Sequence, residues 1–96
     1  MSNGRSSNKQ KGSPITAEIA FGQLVREYRL ANGMIQADLE AESHIDRSFI
    51  SQIENGKKQA CLKTIISIAA KLGVSPGDLV NQAVAQMDQK ELKKLQ

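Results

Sequence analysis

Large rings are scarce in this chain: Phe21, Tyr28 and Phe49 are its only aromatic residues, 3% of the composition, and Trp is absent. Aliphatic side chains must therefore fill the core, which suits a helical bundle. The single cysteine, Cys61, excludes an internal disulfide and cannot build a metal site by itself. The single histidine, His44, lies in a different segment, and no oxyanion-hole or orienting motif turns the two into a nucleophile pair. Cys61 reads as a small residue at the start of a helix and His44 as a turn residue. No Walker or dinucleotide glycine pattern occurs, so no cofactor is expected and catalysis has no supporting constellation. Long apolar runs are missing too, both the roughly 18 residues of a membrane span and the shorter core of a secretory signal. A cytoplasmic protein is expected. With 96 residues and 40% apolar content, the chain can hold one small domain with a single core.

What the chain does contain is organised around Gln36 to Gly56, QADLEAESHIDRSFISQIENG. Two short helical patterns there flank a turn tight enough to require an angled helix pair, the outline of a helix-turn-helix. Leu39 anchors the first, and Ile50 with Ile53, three apart, gives the second a buried face. The opposite face carries Arg47, Ser48, Ser51, Gln52 and Asn55, rich in hydrogen-bond donors. Asp46 can cap the second helix through its carboxylate, and Gly56 supplies the left-handed residue that ends it.

The run from Phe21 to Val80 resembles the Xre or Cro/lambda-repressor-like helix-turn-helix domain of bacteria and phages. The matching pieces are FGQLVREYRLANG in the first helix, Gln36 opening the second, RSFISQIENGKK in the third, and LKTIISIAAKLGVSPGDLV through the next two. The chain departs from the family's usual Ser, Ala, Gly and Pro at Ile35, Glu40, His44 and Ala60. The resemblance implies an all-α, compact five-helix bundle. It also implies a partly buried ion pair between Arg29 and Glu54, and phosphate contacts by Gln36, Asn55, Lys57 and Lys58. Small stand-alone domains of this size are similar to restriction-modification controller proteins and phage-type repressors.

In chain order, residues 1–16 are rich in Ser, Asn and Gly and carry Arg5, Lys9 and Lys11 with no acid, which predicts a flexible basic arm. A solubilising tail is the simpler reading, and an arm tracking phosphate or a minor groove is the other. Residues 17–80 form the DNA-binding domain. Ser13 or Thr16 can cap the first helix, where Phe21, Leu24, Val25 and Tyr28 make one apolar stripe, and Asn32 and Gly33 stop it. Met34 and Ile35 are expected to turn inward as a hinge. Leu62, Ile65, Ile66, Ile68, Ala69 and Leu72 give a fourth helix an apolar arc wide enough for the centre of the core. Gly73 ends that helix, and Ser75 with Pro76 begins a fifth. Residues 81–96 are expected to be a helical extension, with Leu92 and Leu95 in a marginal last helix. The apolar set Leu79, Val80, Ala83, Val84 and Met87, joined by Ile66, exceeds what a small monomer can cover and predicts a homodimer interface.

Charge placement sharpens the function. Residues 17–80 hold seven Lys or Arg against eight Asp or Glu, so bulk basicity is no argument for nucleic acid. Arg47, Lys57 and Lys58 nonetheless cluster at and just beyond the third helix. Such a local positive edge fits a specific reader of double-stranded DNA better than a uniform coater. Arg47 suits guanine O6 and N7 and Gln52 suits adenine N6 and N7, while Ser48 and Ser51 serve base edges or phosphates. Phe49 can touch a thymine methyl or its own domain. The expected function is a non-enzymatic transcriptional regulator that binds a palindromic operator as a homodimer. RNA polymerase and a toxin are further partners the sequence allows. The alternative is a protein-interaction module on the same fold, an antitoxin or a coactivator-like adaptor.

Overall fold

The computed structural model describes residues 14–96, six helices with no strand among them. They are α1 (Ala17–Ala31), α2 (Gln36–Ser43), α3 (Arg47–Glu54), α4 (Leu62–Leu72), α5 (Pro76–Gln86) and the short α6 (Gln89–Lys94). The first five form the expected bundle, and α6 extends it. The basic arm, with Arg5, Lys9, Lys11 and the alternative cap Ser13, lies outside the described residues. No helix among these residues is long and apolar enough to cross a membrane.

Local sequence signals start and stop these helices. Thr16 Oγ1 accepts from the Ile19 N–H at 3.3 Å to open α1, and Ser75 Oγ from the Asp78 N–H at 3.1 Å to open α5, with Pro76 in its first turn. At the far end of α1 the Asn32 carboxamide donates to the Tyr28 carbonyl (2.8 Å) and to the Leu72 carbonyl (3.2 Å), which ties the end of α1 to the end of α4. Cys61 sits exposed at the N-cap of α4, its Sγ 3.4 Å from Thr64 Oγ1.

The core is aliphatic. Val25, Leu39, Ile50, Ile53, Ile68 and Leu79 are its largest fully enclosed side chains, each contributing about 1.5 to 3 kcal/mol by burial. The centre of the bundle is α1, which packs against α3, α4 and α5. The wide apolar arc of α4 had pointed to α4 instead. Only Ile68, Ala69 and Leu72 of that arc are buried, whereas Leu62 and Ile66 face outward because one side of the helix has no neighbour. Ile35 also departs from expectation: Met34 is half-buried, but Ile35 is 63% exposed. Ile35 occupies the extended N-cap of α2, and successive side chains of extended backbone point to opposite sides.

The C-terminal region is more deeply integrated than its sequence implied. α5 runs through residue 80 without a break, and Leu79, Ala83 and Met87 are buried within the single chain. These three are enclosed within the single chain because α5 lies along α1 and needs its own apolar stripe there, and Ala83 and Met87 also line the groove beside Val80 and Val84. Tyr28 and Gln82 fasten the two helices, Tyr28 Oη donating to Gln82 Oε1 (3.1 Å) and Gln82 Nε2 donating to Tyr28 Oη (2.9 Å). Beyond α5, Asp88 and Ile15 exchange hydrogen bonds: the Ile15 N–H donates to Asp88 Oδ2 at 2.9 Å, and the Asp88 N–H to the Ile15 carbonyl at 3.0 Å.

Candidate nucleic-acid interface

α3 is only eight residues long and owes its position to what holds each end. At its start Asp46 Oδ2 accepts from the Ser48 N–H at 3.0 Å, as its cap position predicts, and Glu40 Oε2 reaches across from α2 to accept from the Arg47 N–H at 3.1 Å. The turn between the helices is tied by Ser43, whose hydroxyl donates to the Leu39 carbonyl (2.6 Å) and accepts from the Ile45 N–H (3.2 Å). His44 adopts φ +62°, the left-handed conformation that a glycine would adopt without strain.

The far end of α3 is anchored by charge. Arg29 Nε donates to Glu54 Oε2 at 2.7 Å and Arg29 Nη2 to Glu54 Oε1 at 2.9 Å, a two-pronged pair whose side chains are 8% and 2% exposed. These hydrogen bonds to Glu54 raise the pKa of the Arg29 guanidinium above its ordinary value, against a smaller opposing effect of burial. Arg29 Nη1 donates in addition to the Met34 carbonyl (2.7 Å), and Gln36 Nε2 donates to Glu54 Oε1 (3.1 Å). One network thus joins α1, α3 and the start of α2. Gly56 closes α3 at φ +72°, and a side chain there would come within 2.8 Å of Ile19 Cγ1.

Between these anchors Ile50 and Ile53 are enclosed, and Phe49 packs against the core as a half-buried residue. Arg47, Ser48 and Gln52 are exposed and Ser51 is half-buried, so the four side chains assigned to base reading lie together on the outward side. Asn55, Lys57 and Lys58 follow as exposed residues at the end of α3, and neither lysine forms an ion pair among the described residues. The Gln36 amide is engaged by Glu54 through one N–H, and its other N–H has no partner among the described residues. The remaining dimer candidates lie elsewhere. Val80 and Val84, each 39% exposed, line an apolar groove of about 550 Å³ together with Phe21, Ile65 and Leu95, and Ile66 is 48% exposed on α4.

Sequence reasoning missed three residues that shape this site. Ser43 and Glu40 act through hydrogen bonds across the turn, which helical periodicity does not register. Gly22 is buried where α1 meets α3, and a Cβ there would collide with the Ile53 carbonyl oxygen and lie 3.0 Å from that of Glu54. A glycine inside an otherwise apolar and charged helical stretch was the available signal.

The profile of the helix-turn-helix family matches residues 25–79. Control protein C.BamHI of Bacillus amyloliquefaciens is 41% identical over 64 residues, covering 66% of this chain and 79% of its own. The crystal structure of the restriction-modification controller protein C.AhdI from Aeromonas hydrophila superposes with a TM-score of 0.62 at 35% identity, over 65% of this chain and 94% of that one. The controller protein C.Esp1396I, solved as a tetramer in complex with its natural 35-base-pair operator, gives 0.64 at 27% identity over 80% and 95%. With the motif residues on one helix pair and this match across more than half its length, the chain belongs to the Xre, or Cro and lambda-repressor-like, helix-turn-helix family.

Proposed function

We propose that the protein is a non-enzymatic, sequence-specific DNA-binding transcriptional regulator of the cytoplasm, acting as a homodimer on a palindromic operator. The observation that carries this reading is the outward face of α3. Four donor-bearing side chains stand there on a helix fixed at both ends, with Lys57 and Lys58 exposed beside it and without an ion pair among the described residues. α3 enters the major groove from its capped end, so Arg47 and Ser48 meet base edges first and Ser51 and Gln52 follow one turn along. Gln36, through its second amide hydrogen, and Asn55 hold the flanking phosphates. Support comes from the controller protein C.Esp1396I, solved as a tetramer on its natural operator, whose fold this chain shares. Selection of bound fragments from a random DNA library tests the reading. A palindromic consensus is expected, and its absence, with only salt-sensitive binding to every sequence, would favour a protein-interaction role.

The two kinds of DNA contact are expected to fail differently. Arg47→Ala should weaken operator binding by about 1 to 3 kcal/mol and relax the preference at one base position per half-site. Lys57→Ala should weaken binding to all sequences alike and lower the salt dependence by about one phosphate contact. Titrating both variants against single-base operator changes separates the outcomes, and an unchanged preference profile for Arg47→Ala would remove α3 as the reading element.

The homodimer rests mainly on the exposed Ile66, Val80 and Val84, with Ala83 and Met87 beneath them in the groove and Leu79 enclosed. A twofold axis would set two copies of α3 roughly 34 Å apart, one turn of DNA, so that each half-site adds its binding energy. Val84→Asp leaves the core untouched and places a charge on the exposed patch. Sedimentation at micromolar concentration should show this variant shifted toward monomer, and undiminished association would count against the surface.

A further inference from the structure

We propose that Glu40 is a positioning residue for base recognition, holding the first turn of α3 in the geometry Arg47 needs and keeping phosphates off that turn. The proposal rests on α3 being the reading helix. The first N–H groups of any helix lack partners within it, and an uncapped helix start is ordinarily a seat for phosphate. In α3 two of these groups are already taken by carboxylates of the same chain: Ser48 N–H by Asp46 at 3.0 Å, and Arg47 N–H by Glu40 at 3.1 Å. Glu40 belongs to the preceding helix, seven residues back, so its bond spans the His44 turn and fixes the angle between α2 and α3.

Two consequences follow for DNA. A phosphate approaching this tip meets two negative charges and no free N–H on residues 47 and 48, so the tip is acceptable only in the groove, facing base edges. The backbone is left to Lys57, Lys58 and the second amide hydrogen of Gln36. Arg47, meanwhile, sits on a first turn that is ordered before binding. A specific complex needs that order and a non-specific one does not. An alanine, the usual residue at this place in the family the chain resembles, can supply neither the bond nor the charge.

Glu40→Ala removes acceptor and charge together, whereas Glu40→Gln keeps an acceptor and removes the charge. Affinities of the parent and both variants would be measured for the selected operator and for a scrambled duplex of equal length, with folded fractions from circular dichroism used to normalise them. Both variants are expected to bind the scrambled duplex more tightly than the parent, because a repulsive charge is gone. Glu40→Ala alone should lose about fivefold in the ratio of operator to scrambled affinity, the worth of a typical cap, and Glu40→Gln should retain the parent ratio. A parent-like ratio in folded Glu40→Ala, or the same loss in both variants, would overturn the positioning role. Arg47→Ala run alongside tells the two failures apart. If it relaxes base preference while Glu40→Ala keeps the ratio, only the role of Glu40 falls; if it changes nothing, the reading helix falls and Glu40 with it.

Discussion

Arg29→Ala and Glu54→Ala are each expected to lower the unfolding free energy by about 3 to 5 kcal/mol. An exposed pair would cost roughly 0 to 1 kcal/mol, and burial decides between these ranges: the two side chains are 8% and 2% exposed and meet through two hydrogen bonds. Removing either partner leaves the other charged in a site largely closed to water. The loss of Glu54 also frees the Gln36 amide, and the loss of Arg29 leaves the Met34 carbonyl without its donor. Replacing both at once, Arg29→Met with Glu54→Leu, should recover a large part of the loss, since no stranded charge then remains. Urea unfolding of the two single variants and the double variant checks this. Losses below about 1 kcal/mol in both singles would mean that the pair is solvated in solution. The double variant should still bind DNA more weakly than the parent, because nothing then orients Gln36 against the end of α3.

Gly22→Ala should be the most damaging one-carbon change in the chain. Elsewhere in a helix the substitution stabilises by roughly 0.5 to 1 kcal/mol through backbone entropy. At Gly22 the added methyl would collide with the Ile53 carbonyl oxygen and crowd that of Glu54, and carbonyl oxygens of a helix cannot step aside as a flexible side chain would. The helices must separate, so the cost should reach about 3 kcal/mol, the upper part of the range for overpacked cores, and outweigh the entropic gain. Because the obstruction belongs to α3, separation also displaces the outward face that carries Arg47 and Gln52. Operator binding is therefore expected to fall further than the loss of folded protein explains. A variant with unchanged unfolding would show that α1 and α3 are not in backbone contact.

Much of this arrangement could be read from the chain because it depends on local rules. Asp46, Gly56, Ser75 and Pro76 mark helix ends through short-range backbone geometry, and the stripe from Phe21 to Val25 follows from helical spacing. Arg29 and Glu54, 25 residues apart, were paired only through the family resemblance, since no local rule joins such distant charges. What escaped depends on how helices meet. The apolar residues of α5 look alike in sequence, yet Leu79 and Ala83 face α1 and the core while Val80 and Val84 do not, and only the crossing angle decides which side is covered. Ile35 escaped similarly, because an apolar residue at a helix cap follows the extended backbone and not its own hydrophobicity. Glu40 and Ser43 were invisible as tethers because their partners are backbone groups.

The shortness of α3 bears on how such a protein can diversify. Eight residues are too few for a helix to persist alone in water, so α3 stays helical through Ile50, Ile53 and the Glu54 network, all on its inner side. Arg47, Ser48 and Gln52 take no part in that support beyond their backbone groups. Inheritance can therefore act on the two sides separately. Substitutions on the inner side must satisfy the requirement to fold, while substitutions on the outer side are expected to carry little thermodynamic penalty and, with α3 as the proposed reading helix, to change the operator preferred. On the proposed reading, a scaffold divided in this way would let target preference change without loss of the folded state.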